Sequence, residues 1–98
     1  MIRHIALFRF KDHITSEDID RLDASLRALP DRIDVIRSYT CGRDLELIDE
    51  TWDYAVVADF DTPDDYHAYS GHPEHVEASA TVAKPMMAES TRVQFVIE

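Results

Sequence analysis

Residues 2–10, Ile-Arg-His-Ile-Ala-Leu-Phe-Arg-Phe, alternate like a β-strand yet are apolar at the centre on both sides. Successive strand side chains point to opposite faces. Ile2, His4, Ala6, Phe8 and Phe10 therefore share one face, and Arg3, Ile5, Leu7 and Arg9 the other. Residues 52–60 repeat the pattern, with Trp52, Tyr54, Val56, Ala58 and Phe60 opposite Asp53, Ala55, Val57 and Asp59. An antiparallel sheet with one wet face shows regular polar alternation, which these strands lack. Both faces of the sheet need cover, because the bare surface would be a large apolar patch. Helices can cover one face. A second copy of the chain is the commonest cover for the other. The expected homodimer contact is the face bearing Ile5, Leu7, Ala55 and Val57.

The remaining elements follow from punctuation and spacing. Thr15 and Asp18 have capping-box spacing, with Ile14 and Ile19 placed as a hydrophobic staple. Ile19, Leu22, Leu26 and Leu29 recur at helical spacing as far as Pro30. Residues 33–43 read as a second strand closed by Gly42, and 44–51 as an acidic loop. Thr62-Pro63-Asp64-Asp65 opens a helix with a cap, a proline at the first position and acids at the positive end of the dipole. That helix stops at Gly71. His72-Pro73 opens another, running to about Lys84–Ala88, and 91–97 form a last strand. The order β-α-β-β-α-β is the ferredoxin-like pattern, an α+β protomer with a four-stranded antiparallel sheet. Paired through its open face it makes a dimeric α+β barrel. A single domain over residues 1–98 is expected, and a chain this short buries only about two-thirds of its surface, which favours pairing.

Charge narrows the partners. The chain has 20 Asp and Glu against 10 Lys and Arg, for a formal net charge of −10. Such a field repels phosphate backbones and anionic bilayers, so neither nucleic acid nor a membrane is an expected partner. The opening residues run straight into strand-like sequence, without the leader of a secretory signal. The lone cysteine, Cys41, has no partner for an internal disulfide and falls in a strand as a small buried thiol. These features favour a cytoplasmic location.

Chemistry concentrates in Tyr66-His67-Ala68-Tyr69-Ser70-Gly71-His72-Pro73-Glu74-His75. Helical spacing turns Tyr66 and Tyr69 toward the core and leaves His67 in solvent. His75 falls in a first helical turn, where the dipole favours neutral imidazole, a general base near pH 7. If the face of strand one bearing His4 meets the helices, His4 comes near Tyr69 and His75. Two imidazoles and a phenol around an apolar cavity suit a phenolic or enolic ligand, or proton transfer from carbon beside a carbonyl. The same histidines also suit a purely structural role. The His72/His75 spacing alone is a weak metal signature, since zinc sites need three or four converging ligands. Glycine-rich phosphate loops, GxSxG and CxxC are all missing from the sequence.

The run from Ile2 to Lys11, the Gly42-Arg43-Asp44 turn and the Phe60…Tyr69…His72-Pro73-Glu74-His75 spacing together resemble the stress-responsive A/B-barrel (Dabb) family. The resemblance implies a ferredoxin-like protomer, a homodimer with the two sheets forming a central barrel, and a small-molecule pocket between sheet and helices. One branch of that family, the plant olivetolic acid cyclase, closes a linear polyketide by aldol condensation without a cofactor. By that likeness His75 is the base, with His4 and Tyr69 orienting or polarising the substrate. Phe8, Trp52, Tyr54, Val56, Tyr66 and His72 are expected to line the same pocket. Three functions stand open: a cofactor-independent cyclase or lyase, a non-catalytic stress-responsive or ligand-binding dimer, and a cofactor-independent oxygenase of the wider dimeric α+β-barrel superfamily.

Overall fold

The strand patterns resolve into one antiparallel sheet of order β2-β3-β1-β4, made of β1 (Ile2–Phe10), β2 (Ser38–Arg43), β3 (Tyr54–Phe60) and β4 (Met87–Val96). The computed structural model describes residues 1–97, so the last residue of the expected 1–98 domain lies outside it. Three helices, α1 (Ser16–Arg27), α2 (Pro63–Ser70) and α3 (Pro73–Ala78), connect the strands. α3 continues through a π-helical turn, Ser79–Ala83, and a last turn, Lys84–Met86, directly into β4.

The caps form as the sequence dictates. The Thr15 side chain accepts from the Asp18 amide and the Asp18 carboxylate from the Thr15 amide, at 3.2 and 2.9 Å. Thr62 caps α2 through the Asp65 amide, with Pro63 at its first position and Gly71 closing it. α1 ends at Arg27, and Pro30 sits in a separate 3₁₀ turn over Leu29–Asp31.

Two strand boundaries differ from the sequence reading. β2 starts at Ser38 rather than residue 33, because Ile33 closes the 3₁₀ turn and sinks into the core instead. β4 starts at Met87 rather than 91, its polar early residues hidden from any apolar count by their place on an edge.

Burial follows the alternation. His4, Ala6 and Phe8 of β1 and Tyr54, Val56, Ala58 and Phe60 of β3 are buried against the helices, where Leu22 and Leu26 of α1 meet them. Cys41 is a free, buried thiol on this side. Ile5, Leu7, Ala55 and Val57 lie on the other face, each only partly covered. Register sets Ile5 opposite Val57 and Val93, and Leu7 opposite Ala55 and Thr91. Asp59 on this outer face is buried because Arg3 grips it with two hydrogen bonds, at 2.8 and 3.0 Å, and Ser38 adds a third at 2.8 Å.

Candidate functional site

All four strands contribute to the floor of a small cavity whose roof is α1, α2, α3 and the π-helical turn. Ala6, Phe8, Val56, Leu26, Ala83 and Met87 form its apolar wall, and His4, Tyr39, Tyr69, His75, Ser79 and Arg92 supply its polar atoms. Its volume is about 40 Å³. The expected meeting of His4, Tyr69 and His75 therefore occurs. The Tyr69 ring centroid lies 4.4 Å from that of His75 and 6.3 Å from that of His4.

The two imidazoles are held in opposite tautomers. His75 Nδ1 lies 2.9 Å from the Ser70 carbonyl. A carbonyl only accepts, so Nδ1 carries the proton and Nε2 keeps its lone pair. His4 Nδ1 lies 2.8 Å from the Gln94 amide nitrogen, which only donates, so the His4 proton sits on Nε2. Burial holds both rings neutral. It pushes His4, 4% exposed, down to about 4, with help from the Arg92 charge and from that of His75 once protonated. His75 is lowered mainly by burial, against the opposing Ser70 hydrogen bond, with smaller repulsion from Arg92 and Lys84. Burial rather than a helix end is thus the chief cause of its neutrality. The Tyr69 phenol is pushed up to about 12 by burial, and Tyr39 is raised for the same reason. Both phenols are donors at neutral pH.

The other expected pocket residues divide. Phe8 and Val56 line the cavity. Tyr66 stands behind it, its ring 4.9 Å from His4, and opens on a separate depression beside Ile2, Pro63 and Gln94. Tyr54 is fully buried, stacked on Phe8 and hydrogen-bonded through its hydroxyl to Asp23, so it supports the wall without lining it. His72 is turned away, its Nδ1 accepting the Glu74 amide at the start of α3. Trp52 lies on the opposite face of the sheet, under the Arg9 guanidinium at 4.1 Å. Asp53 breaks the alternation there: its amide donates to the Phe8 carbonyl and its carboxylate accepts the Phe10 amide, so strand parity does not extend back to Trp52.

Tyr39, Ser79 and Arg92 are the polar cavity residues that sequence reasoning passed over. The alternation Arg92-Val93-Gln94-Phe95 held the signal, since placing Val93 and Phe95 on the outer face puts Arg92 and Gln94 beside His4. A larger trough of about 600 Å³ lies on the outer side, between Leu7, Ala55, Trp52 and the apolar Leu45 and Leu47 of the 44–51 loop. No histidine lines it, and it adjoins the half-covered sheet face. Among the described residues no three His, Cys, Asp or Glu side chains converge as a metal site, and no helix is long and apolar enough to cross a membrane.

Comparison with known proteins bears on this architecture. The family model described as the stress responsive A/B barrel domain matches residues 2–97. A stress-response A/B barrel domain-containing protein of Arabidopsis thaliana is 30% identical over 81 residues, covering 80% of this chain and 70% of that protein. A dimeric ferredoxin-like protein of unknown function from Thermobifida fusca superposes with a TM-score of 0.91 at 42% identity, over 98% of this chain and 90% of its own. The hydroxynitrile lyase of Passiflora edulis shares the fold, with a TM-score of 0.86 at 19% identity over 99% of this chain and 93% of its own. The chain belongs to the stress-responsive A/B barrel domain family.

Proposed function

We propose that the protein is a homodimeric, cofactor-independent enzyme of lyase or cyclase type that moves a proton on a small carbonyl or enol. The observation that carries this reading is that His75 Nδ1 meets the Ser70 carbonyl and His4 Nδ1 the Gln94 amide, contacts that imply an unprotonated Nε2 on His75 and a protonated Nε2 on His4. His75 takes a proton from carbon next to a carbonyl. The C–H electron pair becomes an enolate, and its oxyanion accepts hydrogen bonds from His4 Nε2–H and the Tyr69 hydroxyl. Donors fixed in an apolar site favour charge that develops during reaction. The enolate then adds to a second carbonyl, forming a C–C bond and an alkoxide that takes the proton back from His75, or the reverse path breaks one. The cavity, about 40 Å³, is well below the ~300 Å³ where ordinary ligand pockets begin. That size supports a substrate of a few heavy atoms and weighs against an extended polyketide chain. The dimeric relative from T. fusca and the half-covered face around Ile5, Leu7, Ala55 and Val57 support pairing through that face.

The test is α-proton exchange in D₂O, followed by proton NMR over short aldehydes, ketones and 2-oxo acids. The wild type should exchange at least one of them above the buffer rate. His75→Gln should slow that exchange by about 10²–10⁴-fold, the usual worth of a general base. Long-range ¹⁵N spectra should show Nδ1–H on His75 and Nε2–H on His4. No exchange across the panel would favour a non-catalytic ligand-binding role, and the reverse tautomers would refute the assigned roles.

A further inference from the structure

We infer that the cavity takes a short-chain carboxylate, its acid group held at the mouth by Arg92. This rests on the proton-transfer reading of the same site and names its substrate class. The charge pattern comes first. Every other arginine of the chain, from Arg3 to Arg43, lies in an ion pair with an aspartate or glutamate. Among the described residues Arg92 has no carboxylate partner, and its guanidinium meets only the Ser90 hydroxyl, at 3.3 Å. In a chain with 20 acidic side chains, not one acid lines the cavity that Arg92 borders.

The second observation is independent of charge. The Tyr39 hydroxyl is buried at the cavity wall beside Tyr69 and makes no hydrogen bond of normal length. Buried polar atoms without partners are uncommon, and a phenol in this state calls for an acceptor. Tyr69 and His4 Nε2–H are further donors at the same wall. The cavity thus presents donors and a cation, with the His75 lone pair as the reacting acceptor. Its complement is a group made only of acceptor atoms. A carboxylate is planar, matches the guanidinium fork, and leaves an adjacent carbonyl for the buried donors. Arg92 is exposed on edge strand β4, so the acid group faces solvent while the reacting carbon lies inside. The remaining field of the protein is acidic and repels anions. The local cation therefore selects position as well as charge.

The probes are pyruvate and its neutral isostere pyruvamide, titrated into the full-length protein while the ring resonances of His4 and His75 are followed by NMR. Pyruvate should shift both rings saturably, and pyruvamide should need at least about tenfold more, the scale of one charged hydrogen bond. Arg92→Gln should remove that preference, and Arg92→Lys should keep part of it. Because Arg92 is exposed, both variants should retain the wild-type far-UV spectrum. Equal half-saturation by the two probes would overturn the inference. So would unchanged pyruvate binding in Arg92→Gln, still rings with both probes, or a dimer structure with a partner carboxylate on Arg92. None of these outcomes touches the proton-transfer reading, which the ring tautomers and the exchange assay with neutral carbonyl compounds decide separately.

Discussion

Acid should destabilise this protein through His4, whose buried ring resists the proton that the unfolded chain takes up. An unfolded histidine takes up its proton near pH 6.5, whereas native His4 does so only at about 4. Between those values the unfolded chain holds one more proton than the native chain, so stability falls as pH falls. Integrating that difference from pH 7.5 to 4.5 gives a loss of about 2.5 kcal/mol for this one group. His75 is shifted the same way by burial and adds to the loss. Asp18, Asp59 and Asp61 are held below the ordinary carboxylate range by hydrogen bonds, to Thr15, Arg3 and Arg37 respectively, so their contribution disappears only at still lower pH. The measurement is urea unfolding by far-UV circular dichroism at four pH values and fixed chain concentration, for the wild type and His4→Gln. The variant cannot gain a proton at this position. It should start less stable but lose about 2.5 kcal/mol less over the interval. Parallel pH profiles for the two proteins would refute the assignment of a neutral, buried His4.

Three further outcomes follow from packing. Tyr39→Phe removes an orphaned hydroxyl and should change urea stability by no more than about 0.5 kcal/mol; a loss above about 1.5 kcal/mol would reveal a partner for that hydroxyl in the native fold. Leu22→Ala, at a fully buried position of α1, should cost about 2–5 kcal/mol by the same measurement, and a loss below that would mean the helix is not seated on the sheet. Leu7→Asp puts a charge on the outer sheet face and should give monomer or unfolded protein by light scattering; an intact dimer would defeat that face as the interface.

The legible parts of the fold were those where one physical rule acted alone. Strand alternation sorted His4 from Ile5 and Leu7, and the Thr15 and Thr62 caps marked the starts of α1 and α2. The errors arose where local pattern met tertiary context. Ile33-Asp34-Val35 alternates like a strand, yet the Ile33 amide hydrogen-bonds back to the Leu29 carbonyl and the residue packs inward. Trp52 shares parity with Tyr54 in the sequence, but Asp53 turns the chain between them. His72 and His75 look alike by spacing, and only the backbone decides that one caps α3 while the other bonds the Ser70 carbonyl. Tyr39 and Arg92 stayed hidden because they border the cavity from β2 and β4, the two opposite edges of the sheet, and only the strand order shows which elements surround it.

That strand order also links the two faces of the sheet. β4 is an edge strand paired only to β1, and residues 88–96 along it are exposed in a single chain. Its inner side presents Arg92 to the cavity and sets Gln94 opposite His4, where it fixes that ring's tautomer. Its outer side carries Val93 and Phe95, 52% and 45% exposed, beside Ile5 and Arg3. An edge strand held by one neighbour is the least restrained part of a sheet, and regions with few buried contacts open most readily. A partner that covers Val93 and Phe95 adds apolar burial on the outer side and so restrains the inner side as well. If the proposed dimer pairs through this face, the contact does more than hide apolar surface: it steadies the strand that positions Gln94 against His4 and Arg92 at the cavity mouth.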